Sequence, residues 1–342
     1  MNQTQIFLVA LSIYCFLPTH SFAQTKLPAK GTTKISDLAD GKLKVEINGH
    51  HFTTYDFKSQ KKPIFYPVLG PQQLPMTRGF PMDTKPGEEK DHPHQKSIWT
   101  AHIINGVDFW TEKGGSVQHQ KFLSKTDSEF TVRNHWKKKG KQKPILSDET
   151  TYRFGGNQDK TLRWLDAKIK FIASHRDVVF NDTKEGLFAI RTHPAFRITP
   201  FKKDNKKKKT DSKSEAINSA GETGKPIWGK KAKWVAYSGS LPNESGELQY
   251  RSIYFFDHPD NFRHPTTWQA RDYGLVAANP FGLHYFQKKP KGFGAHKIKK
   301  GDSMTFRYRI VFHAPSEDSE KPTNKLQPEL INSLFDEFAN SK

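Results

Sequence analysis

Strict alternation of apolar and polar residues recurs along this chain and leaves few folds open to it. Leu43, Val45 and Ile47 alternate with Lys42, Lys44 and Glu46, and Leu165, Ala167, Ile169 and Phe171 alternate with Asp166, Lys168 and Lys170. Phe306, Tyr308, Ile310 and Phe312 repeat the period. Side chains spaced two apart face one side of an extended strand, so each run reads as a strand with one buried face. Asn48-Gly49 closes the first run and signals a two-residue hairpin turn into 51–56. Further strand-like runs lie at 65–69, 130–136, 187–192, 233–237 and 248–256, separated by Gly, Pro, Asn and Asp. Many strands with few helical periods predict a mainly β protein, a large antiparallel β-sandwich. One short helix is predicted at the C-terminus, where Leu330, Leu334 and Phe338 fall at i, i+4 and i+8.

The ends of the chain and its charge set further bounds. An apolar run at 6–16 followed by Ser21-Phe22-Ala23 reads as a secretory signal peptide over 1–23, placing the mature protein in the periplasm or outside the cell. No later stretch approaches the ~18 apolar residues of a membrane-spanning helix. The sole cysteine, Cys15, lies within the signal, so a disulfide, a thiolate nucleophile and a cysteine-bound metal are not expected. Residues 24–40 read as a linker, 41–316 as a single sandwich domain and 317–342 as a tail with the helix; a lysine-rich stretch at about 201–224 reads as an exposed insertion. The formal net charge is +20. In an exported protein this charge suits carbohydrate partners, anionic glycans among them. Nucleic acid is not expected, because the lysine runs lack interleaved aromatics. The oligomeric state is not legible.

Chemistry concentrates in two stretches. Residues 89–110 (EKDHPHQKSIWTAHIINGVDFW) hold Asp91, His92, His94, His102 and Asp108 beside Trp99 and Trp110. Residues 257–273 (DHPDNFRHPTTWQARDY) hold Asp257, His258, Arg263, Trp268, Arg271 and Asp272. Both contain Asp-His-Pro. Four histidines precede proline (His92, His193, His258 and His264), where 15 His and 21 Pro in 342 residues give about one by chance. Proline pushes the preceding residue into an extended backbone, and an aspartate beside the ring can orient it and raise its basicity. The bland alternative is that these imidazoles cap loop backbone.

The motifs YPVLGP (66–71), TRGFPM (77–82), DHPH (91–94), NGVDFW (105–110), DTKEG (182–186), WGKKAKW (228–234), RDYGL (271–275) and NPFG (279–282) run in order through nearly the whole mature chain. On these residues the chain resembles the bacterial secreted family labelled "methane oxygenase PmoA". The resemblance implies a supersandwich similar to the galactose mutarotase-like fold, whose relatives act on sugars as epimerases, lyases or glycosidases. The chain departs from the family pattern at Gln95 and Lys96, where a histidine and an arginine are expected, at Ala236, and at Gln269, where a histidine is expected.

The first expectation is an exported carbohydrate-active protein of hydrolase, lyase or epimerase type. His92, His94, His102, Asp257 and His258 supply proton transfer. Trp99, Trp110 and Trp268 supply stacking faces; Asp108 and Asp272 supply further contacts; Arg78, Arg191, Arg263 and Arg271 grip hydroxyls or carboxylates. The two Asp-His-Pro loops are expected to share one cleft. No cofactor is expected; were a metal present, His92 and His94, at i and i+2 on one face of an extended segment, would ligate it. Two other classes stay open: a non-catalytic glycan-binding module, and a metal-dependent oxidoreductase as the family label suggests. No G-x-S-x-G elbow supports a serine nucleophile.

Overall fold

Two eight-stranded antiparallel sheets carry the fold. In this computed structural model residues 30–199, 202–203, 206–207, 214–315 and 325–341 are described. The segment read as a signal peptide, with Cys15, and most of the lysine run lie outside the described residues. The first sheet runs Thr33–Asp37, Leu43–Ile47, His50–Asp56, Ile64–Val68, Ile98–Thr100, Phe188–Arg191, Leu275–Ala278, Trp268–Ala270. The second runs Glu215–Asn218, Trp234–Pro242, Leu248–Asp257, Ser303–His313, Leu162–Ile172, Leu146–Gly156, Glu129–Lys138, Gly115–Lys125. A small sheet of Ile103–Ile104, Val107–Asp108, Val178–Phe180 and His296–Ile298 is also present.

The alternation decides how the sheets meet. Val45, Phe52, Phe65, Ile98, Phe188 and Ile190 of the first sheet share one core with Phe130, Val132, Phe154, Leu165, Phe255 and Ile310 of the second. Ring pairs cross the interface: Phe52 meets Phe312 at 5.7 Å, Phe188 meets Phe255 at 5.6 Å, and Trp268 meets Phe255 at 5.1 Å. Such edge-to-face pairs add stabilisation beyond area burial. The Asn48-Gly49 turn joins its strands with both residues in the left-handed region, at φ 52° and 74°, as a type I′ hairpin requires.

The C-terminal helix, Pro328–Ala339, lies on the outer face of the second sheet. Its Ile331, Leu334, Phe335 and Phe338 pack on Trp234, Ala236, Tyr254, Phe256 and Val311. Its Asn332 accepts a hydrogen bond from Trp234 Nε1 at 2.9 Å. On the other side of the molecule the outer face of the first sheet is floored by Ala101, Ala189 and Ala277 with Trp99, Trp110 and Leu275.

Two segments differ from the sequence expectation. Thr33–Asp37, expected within a linker, is the edge strand of the first sheet and buries Ile35. Glu215–Asn218, expected within the insertion, is the edge strand of the second and buries Ala216. Among the described residues no helix is long and apolar enough to cross a membrane.

Candidate functional site

A buried arginine builds the site. Arg78 is 1% exposed and all of its donors are engaged. Nε donates to Phe80 O; Nη1 donates to Glu89 O and Asp91 Oδ1; Nη2 donates to His92 O and Gln95 O. Arg78 therefore folds the 80–95 loop around itself, the use to which a rigid five-donor fork is suited. Arg191, on the outer face of the Phe188–Arg191 strand, adds Gln95 Oε1 at 3.0 Å and Asp91 Oδ1 at 3.3 Å. Burial, with Arg78 nearby, pushes its pKa down to about 10. Gln95 thus braces the loop, and Lys96 pairs with Glu112 at 2.9 Å. Both departures from the family pattern are filled by structural contacts.

The clamp presents an Asp–His dyad. His92 Nδ1 lies 2.6 Å from Asp91 Oδ2, the ring is 43% exposed, and its Nε2 has no partner among the described residues. Burial raises the Asp91 pKa, but the charge of Arg191 and hydrogen bonds from His92 and Arg78 outweigh it and hold the carboxyl below its ordinary value. His92 sits at φ 44°, in the left-handed region that a non-glycine residue rarely adopts; such backbone clusters at functional sites. Its imidazole stacks on Tyr273 at 5.5 Å with the planes 13° apart, and Arg191 lies 4.4 Å from the same ring. Tyr273 and Arg271 share the tight turn between Trp268–Ala270 and Leu275–Ala278, which Gly274 closes at φ 92°. Asp272 in that turn pairs with Lys225 at 3.3 Å.

His94 stands edge-on to His92 at 5.7 Å. Burial, with the charges of Lys62 and His92, pushes its pKa down to about 4, so it is neutral at pH 7. Beneath it Lys62, 1% exposed, donates to His94 O at 2.9 Å and to Glu112 Oε1 at 2.6 Å. Burial brings the Lys62 pKa down to about 8 against the opposing pull of Glu112. His92, His94, Lys96, Glu112, Gln60 and Pro81 line an open cavity of about 660 Å³.

A second carboxyl, Glu185, lies within electrostatic reach of His92. Burial raises the pKa of Glu185 above the ordinary carboxylate range; Asp108 adds to the rise, while Lys184, His92 and Arg271 oppose it. Gln269 donates to Glu185 Oε2 at 3.3 Å. The next residue must be glycine, because a Cβ on Gly186 would stand 2.0 Å from His102 Nδ1. Asp108 is held in a turn, accepting from the Thr111 amide at 2.8 Å and from the Thr111 hydroxyl. Glu185, Tyr273, Glu112 and Lys62 were not singled out by the sequence reading. Glu185 and Tyr273 left a signal, inside DTKEG and RDYGL.

Several expected site residues lie elsewhere. His102 is wholly buried, with Nε2 at 2.9 Å from Asn181 O, and burial pushes its pKa down to about 4; it is an interior histidine. Trp99, Trp110 and Trp268 are 1%, 0% and 0% exposed, so none offers a face to a sugar. They are floor and core because their strands and loops turn them toward the sheets. Arg263 donates to Pro280 O and Gly294 O.

The second Asp-His-Pro loop does not join the first. Asp257 is buried and accepts from Asn261 and from the Thr266 amide, and its Oδ2 meets His264 Nδ1 at 2.8 Å. His258 Nδ1 accepts from the Asp260 amide, and its ring packs on Phe338 of the C-terminal helix at 5.1 Å. This loop ends at Thr267, which pairs with Asn279 at one end of a hairpin. Arg271 and Tyr273 sit at the other end, four residues or about 13 Å further on. His258 therefore belongs to the covered outer face of the second sheet and His92 to the outer face of the first, and the expectation of one shared cleft is overturned.

Among the described residues no group of three or more His, Cys, Asp or Glu side chains is arranged to hold a metal ion. Fold and site together define an antiparallel β-sandwich with a titratable basin on one outer face. The chain belongs to the family of unknown function DUF6807, whose model matches residues 42–326. No curated protein matches. Solved structures similar to it include the Slr1438 protein from Synechocystis sp. PCC 6803, at 8% identity over 91% of this chain and 100% of that one, with a TM-score of 0.31. Another is a 4-alpha-glucanotransferase from Thermococcus litoralis, at 10% identity over 85% of this chain and 40% of that one, with a TM-score of 0.26. The description of the matched family, one of unknown function, does not bear the methane-oxygenase label.

Proposed function

We propose that this is an exported carbohydrate-active protein that processes a sugar or glycan by acid–base chemistry in the basin over the first sheet. The observation that carries this reading is the exposed Asp91–His92 dyad at an open cavity, with Glu185, a carboxyl whose pKa burial raises, within its electrostatic reach. Two titratable groups tuned by different surroundings divide into acid and base. His92 Nε2 takes the proton, and Asp91 stabilises the imidazolium that forms. Glu185 gives its proton to the departing oxygen. Trp228, half-buried beside Arg271, offers an aromatic face in place of the buried tryptophans.

The test is a screen of glycans for new reducing ends or unsaturated products, with wild type, His92→Ala and Glu185→Gln compared on any substrate found. Full turnover by both variants would refute the acid–base assignment. Binding by wild type without any product would instead identify a glycan-binding module.

A further inference from the structure

The four arginines that the sequence nominates for substrate contact divide sharply. Arg78 makes five hydrogen bonds to the loop it organises. Arg191 is tied to Gln95, Asp91 and Glu89, and Arg263 to two backbone carbonyls. Arg271 is different. Its guanidinium makes no side-chain hydrogen bond or ion pair among the described residues, and its only close partners are aromatic: the carbon lies 5.8 Å from the Trp228 ring and 5.6 Å from the Tyr273 ring. The carboxylate next to it in sequence, Asp272, is turned to Lys225 instead. Arg271, Trp228 and Lys225 border a cavity of about 210 Å³.

An arginine held by ring faces keeps its donor edge for something else. Stacking limits the rotamers of the long side chain and removes part of its hydration, so less is lost when an anion arrives. The fork matches a carboxylate with two parallel hydrogen bonds, a geometry a lysine cannot reproduce. The position suits the reading above. Tyr273 lies within 5.6 Å of the Arg271 guanidinium carbon and within 5.5 Å of the His92 ring centre, so those two groups are at most about 11 Å apart, the sum of the two distances. Glu185 feels the charge of both. An anion on Arg271 would thus be anchored beside the acid and the base.

We infer that Arg271 is the receptor for a substrate carboxylate, and that the glycan taken by this basin contains uronic acid units. This rests on the glycan reading of the same basin and narrows it to acidic sugars.

The experiment is titration calorimetry of the full mature protein with oligogalacturonate and oligoglucuronate, with the matching neutral galactose and glucose oligomers, and with a sulfated oligosaccharide. Wild type is expected to favour the uronates over the neutral oligomers by roughly tenfold to a hundredfold, the range a charge-assisted hydrogen-bonded pair supplies. Arg271→Met should reduce that preference to within about twofold, and Arg271→Lys should restore only part of it. Methyl-esterified oligogalacturonate, which removes the charge from the ligand and leaves the protein untouched, should bind wild type as the neutral oligomers do. Equal affinity for neutral and uronate oligomers, a preference for the sulfated one, or a uronate preference that survives Arg271→Met would overturn the carboxylate assignment while leaving the glycan reading in place. Failure to bind any of these oligosaccharides would overturn both.

Discussion

The tripeptide Asp-His-Pro occurs twice and does opposite things. At 91–93 the aspartate turns toward the imidazole beside it, the ring stands in the open, and Nε2 is left over. At 257–259 the aspartate turns into the protein and gathers Asn261, His264 and Thr266, while His258 caps the amide of Asp260 at 3.1 Å. His193, also followed by proline, accepts from the amide two residues on in the same way, at 3.1 Å. Two of the four His-Pro histidines, His193 and His258, thus cap backbone, His264 holds the buried Asp257, and only His92 pairs with its aspartate in the open. Two causes separate it: its left-handed backbone at φ 44°, and the Arg78 and Arg191 clamp that fixes the loop on both sides of it. The motif supplies a stiff histidine, and the surroundings decide whether the ring closes a turn or faces a ligand.

The sharpest way to break the contrast is to remove each ring. His92→Ala should lower turnover of a glycan substrate by about 10²–10⁴-fold, the usual contribution of a positioned general base. His258→Ala should leave the rate of the folded protein unchanged. Equal losses in both variants, measured at matched folded fraction, would show that the two loops do not divide as described.

The second loop should respond in stability instead. Phe338, 2% exposed, covers both Phe256 and the His258 ring. Phe338→Ala opens a cavity there and should cost about 3–5 kcal/mol in denaturant unfolding, with no effect on any turnover by the folded protein. A change in catalytic rate at matched folding would tie the helix to the site.

Much of the fold was written in the sequence. The period-2 runs became paired strands, Asn48-Gly49 became the hairpin turn, and the 330–338 pattern became the helix. Thr33–Asp37 and Glu215–Asn218, read as linker and insertion, are both sheet edges, whereas Leu146–Gly156 and Leu275–Ala278, which gave no strand signal either, lie inside their sheets. An edge strand has one neighbour and commonly carries polar residues, so it shows weak alternation and reads as loop. The site was half legible. Asp91, His92 and Arg271 stood out as residue types. Glu185 did not, because its character comes from burial by segments distant in sequence. The tryptophans misled because a titratable stretch and a buried strand occupy the same residues, as Trp99 and Trp110 show.

Acidity tests the two carboxyl settings. Because burial raises the Glu185 pKa and the proposed acid must be protonated, the rate should fall as pH rises through that value, and Glu185→Gln should remove this limb while slowing the reaction by about 10²-fold. Stability follows other groups. His102, His193 and His313 are each pushed down to about 4 by burial, so the stability they contribute is present above pH 6.5 and lost as pH falls toward 4. Asp148 is raised to about 6 by burial and acts oppositely, its contribution being lost as pH rises through 6. The buried histidines outnumber the raised acid, so the unfolded chain holds more protons between pH 4 and 6 and stability should rise with pH across that window. A flat unfolding free energy across that window would contradict the burial of these histidines.

The smallest effect distinguishes the loops most cleanly. Asparagine can accept a hydrogen bond from the amide two residues on, the bond that His258 makes to Asp260. His258→Asn therefore keeps the cap and loses only the ring contact with Phe338, so the melting temperature should move by no more than about 4 °C, the shift that roughly 1 kcal/mol gives a large domain. The same change at His92 also suits its backbone, because asparagine tolerates the left-handed region better than most residues. His92→Asn should then fold at least as well as wild type and still be inactive, since an amide cannot take up a proton near neutral pH. One substitution, made at the same place in the same tripeptide, would spare activity in one loop and abolish it in the other. Retained turnover in His92→Asn would move the proton acceptor to another residue of the basin, with Glu185 the first to examine by the same substitution logic.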